Sequence, residues 1–123
     1  MRQVLIIDDQ APVREAIARL LTDRYEVALR EDALEIVQDF EKLEEPVVLL
    51  DVWMPLLNGF AAARLLKKRH PEARIVFLSS DPRPQTMERA AALGDGFVVK
   101  THAVDELIPA IQDAIAEERD PRD

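Results

Sequence analysis

The segment VVLLDVWMPLLNGF, residues 47–60, passes from four apolar residues directly to an aspartate, Asp51. Because the apolar run is short and begins with β-branched residues, it predicts a β-strand that is covered on both faces. Strands of that kind are typical of a parallel sheet with helices on either side. Asp51 therefore stands at the carboxyl end of a buried strand, where a charged side chain calls for a functional explanation.

Other apolar runs in the chain predict the remaining strands of this sheet. In residues 25–29, Tyr25, Val27 and Leu29 alternate with polar or small residues such as Glu26. This alternation predicts a strand at the margin of the sheet with one face less covered. The fully apolar runs are residues 4–7, 47–50, 75–78 and 97–99.

Between the strands the apolar residues recur at helical spacing. Pro12 suits a first helical position, and Asn58 is a candidate N-cap of the third helix. We expect Ala62, Leu65 and Leu66 of that helix to face inward and the basic residues 67–69 to face solvent. The apolar residues that define the other helices are Val13, Ile17, Leu20 and Leu21 in the first, Ile36, Val37 and Phe40 in the second, Met87, Ala90 and Ala91 in the fourth, and Val104, Leu107, Ile108, Ile111 and Ile115 in the last.

The order of these elements, strand and helix alternating five times, predicts the fold class. Strict alternation implies a five-stranded parallel sheet with right-handed crossovers and helices on both faces. We therefore predict a doubly wound α/β domain. In such folds the functional crevice lies beyond the carboxyl ends of the strands, so the residues that follow each apolar run are the candidates. These residues are Asp8, Asp9, Asp51, Ser79, Ser80 and Lys100.

Length and composition limit the classes of function. The 123 residues are enough for one domain, which we place at residues 1–118, with residues 119–123 as a charged tail or the start of a linker. A net charge of −8 argues against direct binding to nucleic acid, and no apolar run is long enough to span a membrane. The absence of cysteine excludes disulfides and thiol chemistry. We expect a soluble, cytoplasmic protein.

The candidate residues at the strand ends indicate phosphate chemistry. The three aspartates would repel one another at neighbouring strand ends, so we expect a cation among them. Oxygen ligands alone select a hard ion, and Mg²⁺ matches that chemistry. A carboxylate beside Mg²⁺ can attack a phosphoryl group and hold it as an acyl phosphate. Lys100 would supply a second positive charge and Ser79 a hydroxyl donor.

The segments LIIDDQ, LLDVWMPLLNG, FLSS and GFVVK lie in the order and spacing of a response-regulator receiver domain, which the chain resembles over essentially its whole length. The resemblance implies the flavodoxin-like strand order 2-1-3-4-5, which is the known order of this family. It also implies that Asp51 accepts a phosphoryl group from a sensor histidine kinase or phosphotransfer protein. Asp8 and Asp9 would bind Mg²⁺ together with Asp51 and the backbone carbonyl of Trp53.

The same resemblance assigns roles in switching. Ser79 would move to hydrogen-bond the phosphoryl group, which Lys100 would contact. Phe97 would swing inward as Ser79 moves and remodel the face formed by the fourth helix, fifth strand and fifth helix, a face that could also form a homodimer. Trp53 and Asp81 occupy positions that influence the lifetime of the phosphoryl group. The output domain or target protein leaves no trace in the sequence.

Three residues depart from the pattern of the family. Thr101 follows Lys100 where the family commonly has a cis proline, and because a cis bond before another residue costs about 3 to 4 kcal/mol, we predict a trans bond. Phe97 lacks the hydroxyl of the tyrosine often found there, and it is explained equally well as a core residue. Pro109 should disturb the last helix.

Three functions stay open from the sequence. The first is a phosphorylation-controlled switch that assists only its own phosphorylation and dephosphorylation and is otherwise not an enzyme. The second is an atypical receiver that acts as a constitutive protein-interaction module without phosphorylation. The third, a Mg²⁺-dependent phosphatase or nucleotide-binding enzyme, is disfavoured because the chain has only three glycines and no glycine-rich phosphate loop.

Overall fold

Each apolar run of the sequence forms a strand of one parallel sheet. The computed structural model describes residues 1–116, so the predicted domain boundary at 118 and the charged segment 119–123 lie outside the described residues. The strand order is β2-β1-β3-β4-β5, as the resemblance implied. The strands are β1 (Gln3–Ile7), β2 (Glu26–Arg30), β3 (Val47–Asp51), β4 (Arg74–Ser79) and β5 (Gly96–Val99).

A helix follows every strand. The two prolines near helix starts, Pro12 and Pro84, lie in the first turns of their helices. The Asn58 side chain accepts a hydrogen bond of 2.9 Å from the backbone N–H of Ala61, so the predicted N-cap is confirmed. The helices are α1 (Ala11–Leu21), α2 (Ile36–Glu41), α3 (Gly59–Arg69), α4 (Pro84–Leu93) and α5 (Ala103–Ala116), with a short 3₁₀ turn at Lys100–His102.

The sheet separates two hydrophobic cores, because successive side chains of a strand point to opposite faces. In β1, Val4 and Ile6 pack on the side of α1 and α5, whereas Leu5 and Ile7 pack on the side of α2, α3 and α4. The strands β1, β3 and β4 are buried almost throughout, and β2 is the margin strand that the alternating pattern predicted. This three-layer packing fixes the carboxyl ends of the strands at one edge.

The helix faces differ from the prediction at several positions. Leu65, expected to face inward, is 50% exposed, because α3 buries Phe60 and Ala63 and is thereby rotated. Val104 at the start of α5 is 75% exposed since Ala103 takes the core position. Lys67, expected in solvent, lies 3.6 Å from Asp95 in an ion pair. Pro109 lies inside α5. No helix within residues 1–116 is long and apolar enough to cross a membrane.

Candidate functional site

Three aspartates converge at the carboxyl ends of β1 and β3. Asp8 follows β1 directly, and Asp51 is the last residue of β3. Because these strands pair in parallel with Ile7 opposite Leu50, the two aspartates that follow come level with each other. Asp9 is exposed, whereas Asp8 is fully buried and Asp51 is 3% exposed. The topology therefore places two carboxyl groups side by side, nearly out of contact with water.

The turn between β1 and α1 fixes the orientation of Asp8. The Asp8 carboxylate accepts a hydrogen bond of 2.9 Å from the backbone N–H of Gln10. Its backbone carbonyl accepts one of 2.7 Å from the Arg14 guanidinium, and its N–H donates to the carbonyl of Arg30 at 3.1 Å. Both backbone groups of Asp8 and one carboxylate oxygen are thus held by neighbouring residues, which leaves Oδ2 directed into the site.

Lys100 lies between the two buried carboxylates. Its Nζ is 2.9 Å from Asp8 Oδ2 and 3.1 Å from Asp51 Oδ2, and only 12% of its side chain is exposed. Burial alone would lower the pKa of Lys100, but the contacts with Asp8 and Asp51 outweigh burial and leave the pKa raised. Lys100 is therefore charged at neutral pH. Its peptide bond to Thr101 is trans, as we predicted, and no cis bond occurs within residues 1–116.

Asp51 is a weaker acid than an ordinary aspartate. Burial raises the pKa of Asp51 to about 7, and the negative charge of Asp8 adds to this effect while Lys100 opposes it. Desolvation disfavours the charged form of any carboxyl group, and a second carboxylate nearby does the same. A further positive charge at this point would therefore stabilise the ionised, nucleophilic form of Asp51.

The aspartates meet the requirements of a Mg²⁺ site. One ligand oxygen from each of Asp8, Asp9 and Asp51 lies within 4.8 Å of those of the other two. Asp8 Oδ2 is buried, and among the described residues the Lys100 ammonium at 2.9 Å compensates its charge. An oxygen-only set of this kind fits a hard cation. The expected contribution of the Trp53 carbonyl stays a prediction.

Ser79 ends β4, the strand that pairs with β3. The register of β3 and β4 places Asp51 opposite Leu78, so Ser79 lies one residue beyond. The Ser79 side chain is fully buried, and its Oγ accepts a hydrogen bond of 2.9 Å from the backbone N–H of Asp81. Ser80 is exposed. The structure therefore brings Ser79, rather than Ser80, into the buried part of the site.

The two aromatic residues assigned to switching and phosphoryl lifetime lie in different environments. Phe97 is opposite Phe77 in the register of β4 and β5, and it is partly buried against the core on the α4 side. Trp53 is 47% exposed and packs edge-on against Phe60, with ring centroids 6.1 Å apart. Phe97 thus already contacts the core, whereas about half of Trp53 is open to solvent.

Two arginines near the site were not singled out from the sequence. Arg14 holds the Asp8 carbonyl, and Arg83 pairs with Asp81 through contacts of 2.8 to 3.0 Å. The only signal for either was proximity in the chain to an aspartate already identified. The two histidines lie outside the site: His70 is tilted against the ring of Phe40 and contacts Glu41, and His102 lies 3.6 Å from Glu106.

Comparison with known proteins finds similar chains and a matching family model. Residues 4–112 match the family model of the response regulator receiver domain. The chemotaxis protein CheY of Halobacterium salinarum is 27% identical over 116 residues, which cover 93% of this chain and 97% of that protein. The response regulator GacA of Pseudomonas protegens is 33% identical over an alignment that covers 97% of this chain but only 58% of the relative. The chain thus spans nearly all of the first relative and little more than half of the second.

Solved structures share the architecture. The chemotaxis protein CheY4 of Vibrio cholerae superposes with a TM-score of 0.84 at 25% identity, over 93% of this chain and 98% of that one. The response regulator TrrA of Thermotoga maritima, solved in complex with Mg(2+)-BeF, gives a TM-score of 0.81 at 27% identity, over 93% of this chain and 99% of that one. Both likenesses extend over the whole sheet and its helices.

Proposed function

Because this chain belongs to the response regulator receiver domain family, we propose that Asp51 accepts a phosphoryl group from a phosphohistidine of a partner protein. One observation carries the proposal: Asp51 is buried at the end of β3, level with Asp8 and 3.1 Å from the Lys100 ammonium. Burying two carboxylates side by side is costly unless their charges are compensated. With a divalent cation held by the aspartates beside Lys100, the site would be suited to receiving an anionic phosphoryl group.

The proposed transfer uses the side chains at the strand ends. An oxygen of the Asp51 carboxylate attacks phosphorus, the bond from phosphorus to the donor imidazole nitrogen breaks, and the imidazole leaves with that electron pair. Lys100 stands 3.1 Å from the attacking carboxylate and can contact the transferred phosphoryl oxygens. The buried Ser79 hydroxyl can donate a hydrogen bond to the same group while its oxygen accepts from Asp81.

Asp8, Asp9 and Asp51 would hold Mg²⁺ in this scheme. When bound, the ion supplies positive charge that offsets the charge on the transferring oxygens. The structure of TrrA in complex with Mg(2+)-BeF supports a Mg²⁺ site of this type in the present chain. The protein would have no turnover on other substrates and would assist only its own phosphorylation and dephosphorylation.

We propose that the phosphoryl group acts on the surface formed by α4, β5 and α5. Ser79 connects to the start of α4 through Asp81, and Phe97 of β5 packs on the core beside α4. A shift of Ser79 towards the phosphoryl group would therefore be passed to both elements. The partner of this surface would be an output domain or a separate target protein, and a sensor histidine kinase or phosphotransfer protein would supply the phosphoryl group.

Intact mass spectrometry after incubation with Mg²⁺ and acetyl phosphate tests the proposed chemistry. We expect one phosphoryl group per chain, dependent on Mg²⁺ and absent from Asp51→Asn. Asp39→Asn is the matched control, because Asp39 is also a buried aspartate but lies in α2, paired with Arg30; it should keep the adduct. An adduct that persists in Asp51→Asn, or none in the folded wild type with an active donor, would contradict the proposal and favour a constitutive interaction module.

A further inference from the structure

A compact clamp holds the Asp81 carboxylate at the start of α4. Asp81 Oδ1 accepts hydrogen bonds from the backbone N–H and the Nε of Arg83, at 3.0 and 2.9 Å. Asp81 Oδ2 accepts from Arg83 Nε at 3.0 Å, from Arg83 Nη2 at 2.8 Å and from the hydroxyl of the buried Thr86 at 2.8 Å. Arg83 thus contacts both oxygens of the carboxylate, in the fork geometry of a strong arginine–carboxylate pair.

These contacts leave Asp81 little capacity as a base. A carboxylate offers about four lone-pair sites, and the five contacts above occupy them. The hydrogen bonds from Arg83 also hold the pKa of Asp81 well below its usual range, which makes the carboxylate a weak proton acceptor. Asp81 is therefore engaged by the protein itself, although its side chain is 14% exposed and borders solvent.

The clamp lies beside the phosphoacceptor. The N–H of Asp81 donates to Ser79 Oγ at 2.9 Å, so the clamp joins the buried hydroxyl of the site directly. An open cavity of about 610 Å³ is lined by Trp53, Ser80, Asp81, Pro82 and Arg83. Trp53 follows Asp51 by two residues and Ser80 follows Ser79. The Asp81 carboxylate therefore borders a solvent-filled cavity whose lining includes residues next to Asp51 and Ser79 in the chain.

We propose that Arg83 is a positioning residue that withholds the Asp81 carboxylate from the hydrolysis of phosphorylated Asp51 and thereby lengthens the life of the phosphoryl group. The inference rests on the proposed function. In the hydrolysis, a water oxygen attacks phosphorus, the bond from phosphorus to the Asp51 oxygen breaks, and Asp51 leaves as a carboxylate. The water proton passes to a base, and a free Asp81 carboxylate beside the cavity would be that base.

Decay of the phosphorylated protein in the presence of Mg²⁺ tests this role. The protein is phosphorylated with acetyl phosphate and freed of the donor, and the phosphorylated fraction is followed by intact mass. A well-placed general base accelerates a reaction by about 10²–10⁴-fold, so a released and only partly oriented Asp81 should shorten the half-life in Arg83→Gln by about tenfold. Arg83→Lys, which keeps the charge but not the fork, should give an intermediate half-life.

A double-mutant comparison separates the positioning role from a merely structural one. In an Asp81→Asn background the Arg83→Gln change should have no effect on the half-life, because the base is absent. The half-life of Asp81→Asn alone should stay near that of the wild type, because the clamped carboxylate already takes no part in the hydrolysis. Arg89→Gln is the matched control: Arg89 also lies in α4 but contacts the ring of Phe60, at 4.4 Å from its centroid. In urea all phosphorylated variants should decay at one rate.

Three results would overturn the inference. The first is an unchanged or longer half-life in Arg83→Gln. The second is that Arg83→Gln shortens the half-life equally in the wild-type and Asp81→Asn backgrounds. The third is a marked lengthening in Asp81→Asn alone, which would show that the clamped carboxylate already acts as a base. If these appear while the wild type forms its Mg²⁺-dependent adduct, only the role of Arg83 fails. A wild type that forms no adduct contradicts the proposed function and this inference with it.

Discussion

Lys100 Nζ lies 3.1 Å from Asp51 Oδ2 at the carboxyl edge of the sheet, although β4 separates their strands. The same ammonium contacts Asp8, so one positive charge compensates two buried carboxylates. Removing one partner of a buried ion pair is costly because the remaining charge is left uncompensated. The stability of this edge of the fold should therefore depend on Lys100 whenever no metal is bound.

Lys100→Gln should destabilise the metal-free protein. Loss of one partner from a buried pair costs about 3–5 kcal/mol. Because Lys100 lowers the pKa of Asp51, its removal should raise that pKa further and let Asp51 bind a proton at pH 8, which should reduce the loss to about 2–3 kcal/mol. Urea unfolding in EDTA, followed by the fluorescence of the single tryptophan, Trp53, measures the difference. Lys68→Gln, on the exposed face of α3, is the control and should change the stability little. Equal stabilities of the Lys100→Gln variant and the wild type would show that Lys100 does not compensate the aspartates.

The same substitution should tighten the binding of Mg²⁺. A cation 2.9 Å from Asp8 and 3.1 Å from Asp51 repels any ion bound to those carboxylates. Unit charges about 4 Å apart near a protein surface interact by about 4 kcal/mol, and by about 1 kcal/mol in bulk water. We therefore expect Mg²⁺ to bind about tenfold more tightly to Lys100→Gln. Titration of Trp53 fluorescence with Mg²⁺ measures the affinity. Weaker binding in the variant would mean that Lys100 helps to shape the site rather than competing with the ion.

Asp51→Asn should stabilise the metal-free protein at high pH. The pKa of Asp51 rises from 3.8 to about 7 in the folded protein, so the folded state binds a proton more tightly than the unfolded state. Stability is therefore lost as pH rises from about 4 to 7, by no more than about 4 kcal/mol. Asp51→Asn avoids this loss of stability but also removes a charged partner of Lys100. We expect its free energy of unfolding to exceed that of the wild type by about 1–3 kcal/mol above pH 7.

The pH profile distinguishes this effect from a general gain in packing. Urea unfolding of the two proteins in EDTA should give a difference that is largest above pH 7 and disappears towards about pH 3, where Asp51 is mostly protonated in both states. Added Mg²⁺ should stabilise the wild type more than the variant at pH 8. A stability difference that is constant across this range would show that ionisation of Asp51 is not its cause.

Much of the fold was predictable because the amino-acid sequences of the strands indicate that both faces of the sheet are buried. The runs around Val48 and Val76 are apolar at every position, and such runs fit a sheet covered on both faces. Helix faces were less predictable. Leu65 and Val104 fit an apolar stripe by spacing, yet Phe60 and Ala103 determine how their helices rotate against the sheet. Which of two adjacent apolar stripes faces the sheet depends on packing between elements, and the sequence of one helix does not specify that packing.

The residues of the site were also only partly predictable from the sequence. Asp8, Asp51 and Lys100 could be identified because parallel strands deliver the residues after them to one edge. The roles of Arg14 and Arg83 could not, since each depends on the backbone path of a short loop that directs its guanidinium back towards an aspartate. Spacing in sequence gives the length of such a loop but not its dihedral angles.

Gly59→Ala should disrupt the end of β3. A methyl group on Gly59 would overlap the Asp51 carbonyl oxygen and lie 2.9 Å from Val52 Cα, and neither backbone group can move without shifting Asp51. Overpacking of this kind costs about 1–3 kcal/mol, and we expect the upper part of that range together with slower phosphorylation. Gly96→Ala is the control, since its methyl group would meet Val76 side-chain carbons at 3.4 Å and beyond. Equal unfolding free energies for the two variants would refute the steric argument.

Leu56→Asn should stabilise the protein, because Leu56 combines exposure with an unfavourable backbone. Its φ is 73° and its side chain is 77% exposed, so little packing compensates for the left-handed conformation. That conformation costs a residue with a Cβ roughly 1–2 kcal/mol, and asparagine tolerates it better; we expect a gain of about 0.5–1 kcal/mol. Leu34→Asn is the control, since Leu34 is 58% exposed but does not have a positive φ. Urea unfolding should show a gain for the first variant only. If both variants gained equally, removal of an exposed apolar side chain, and not backbone strain, would be the cause.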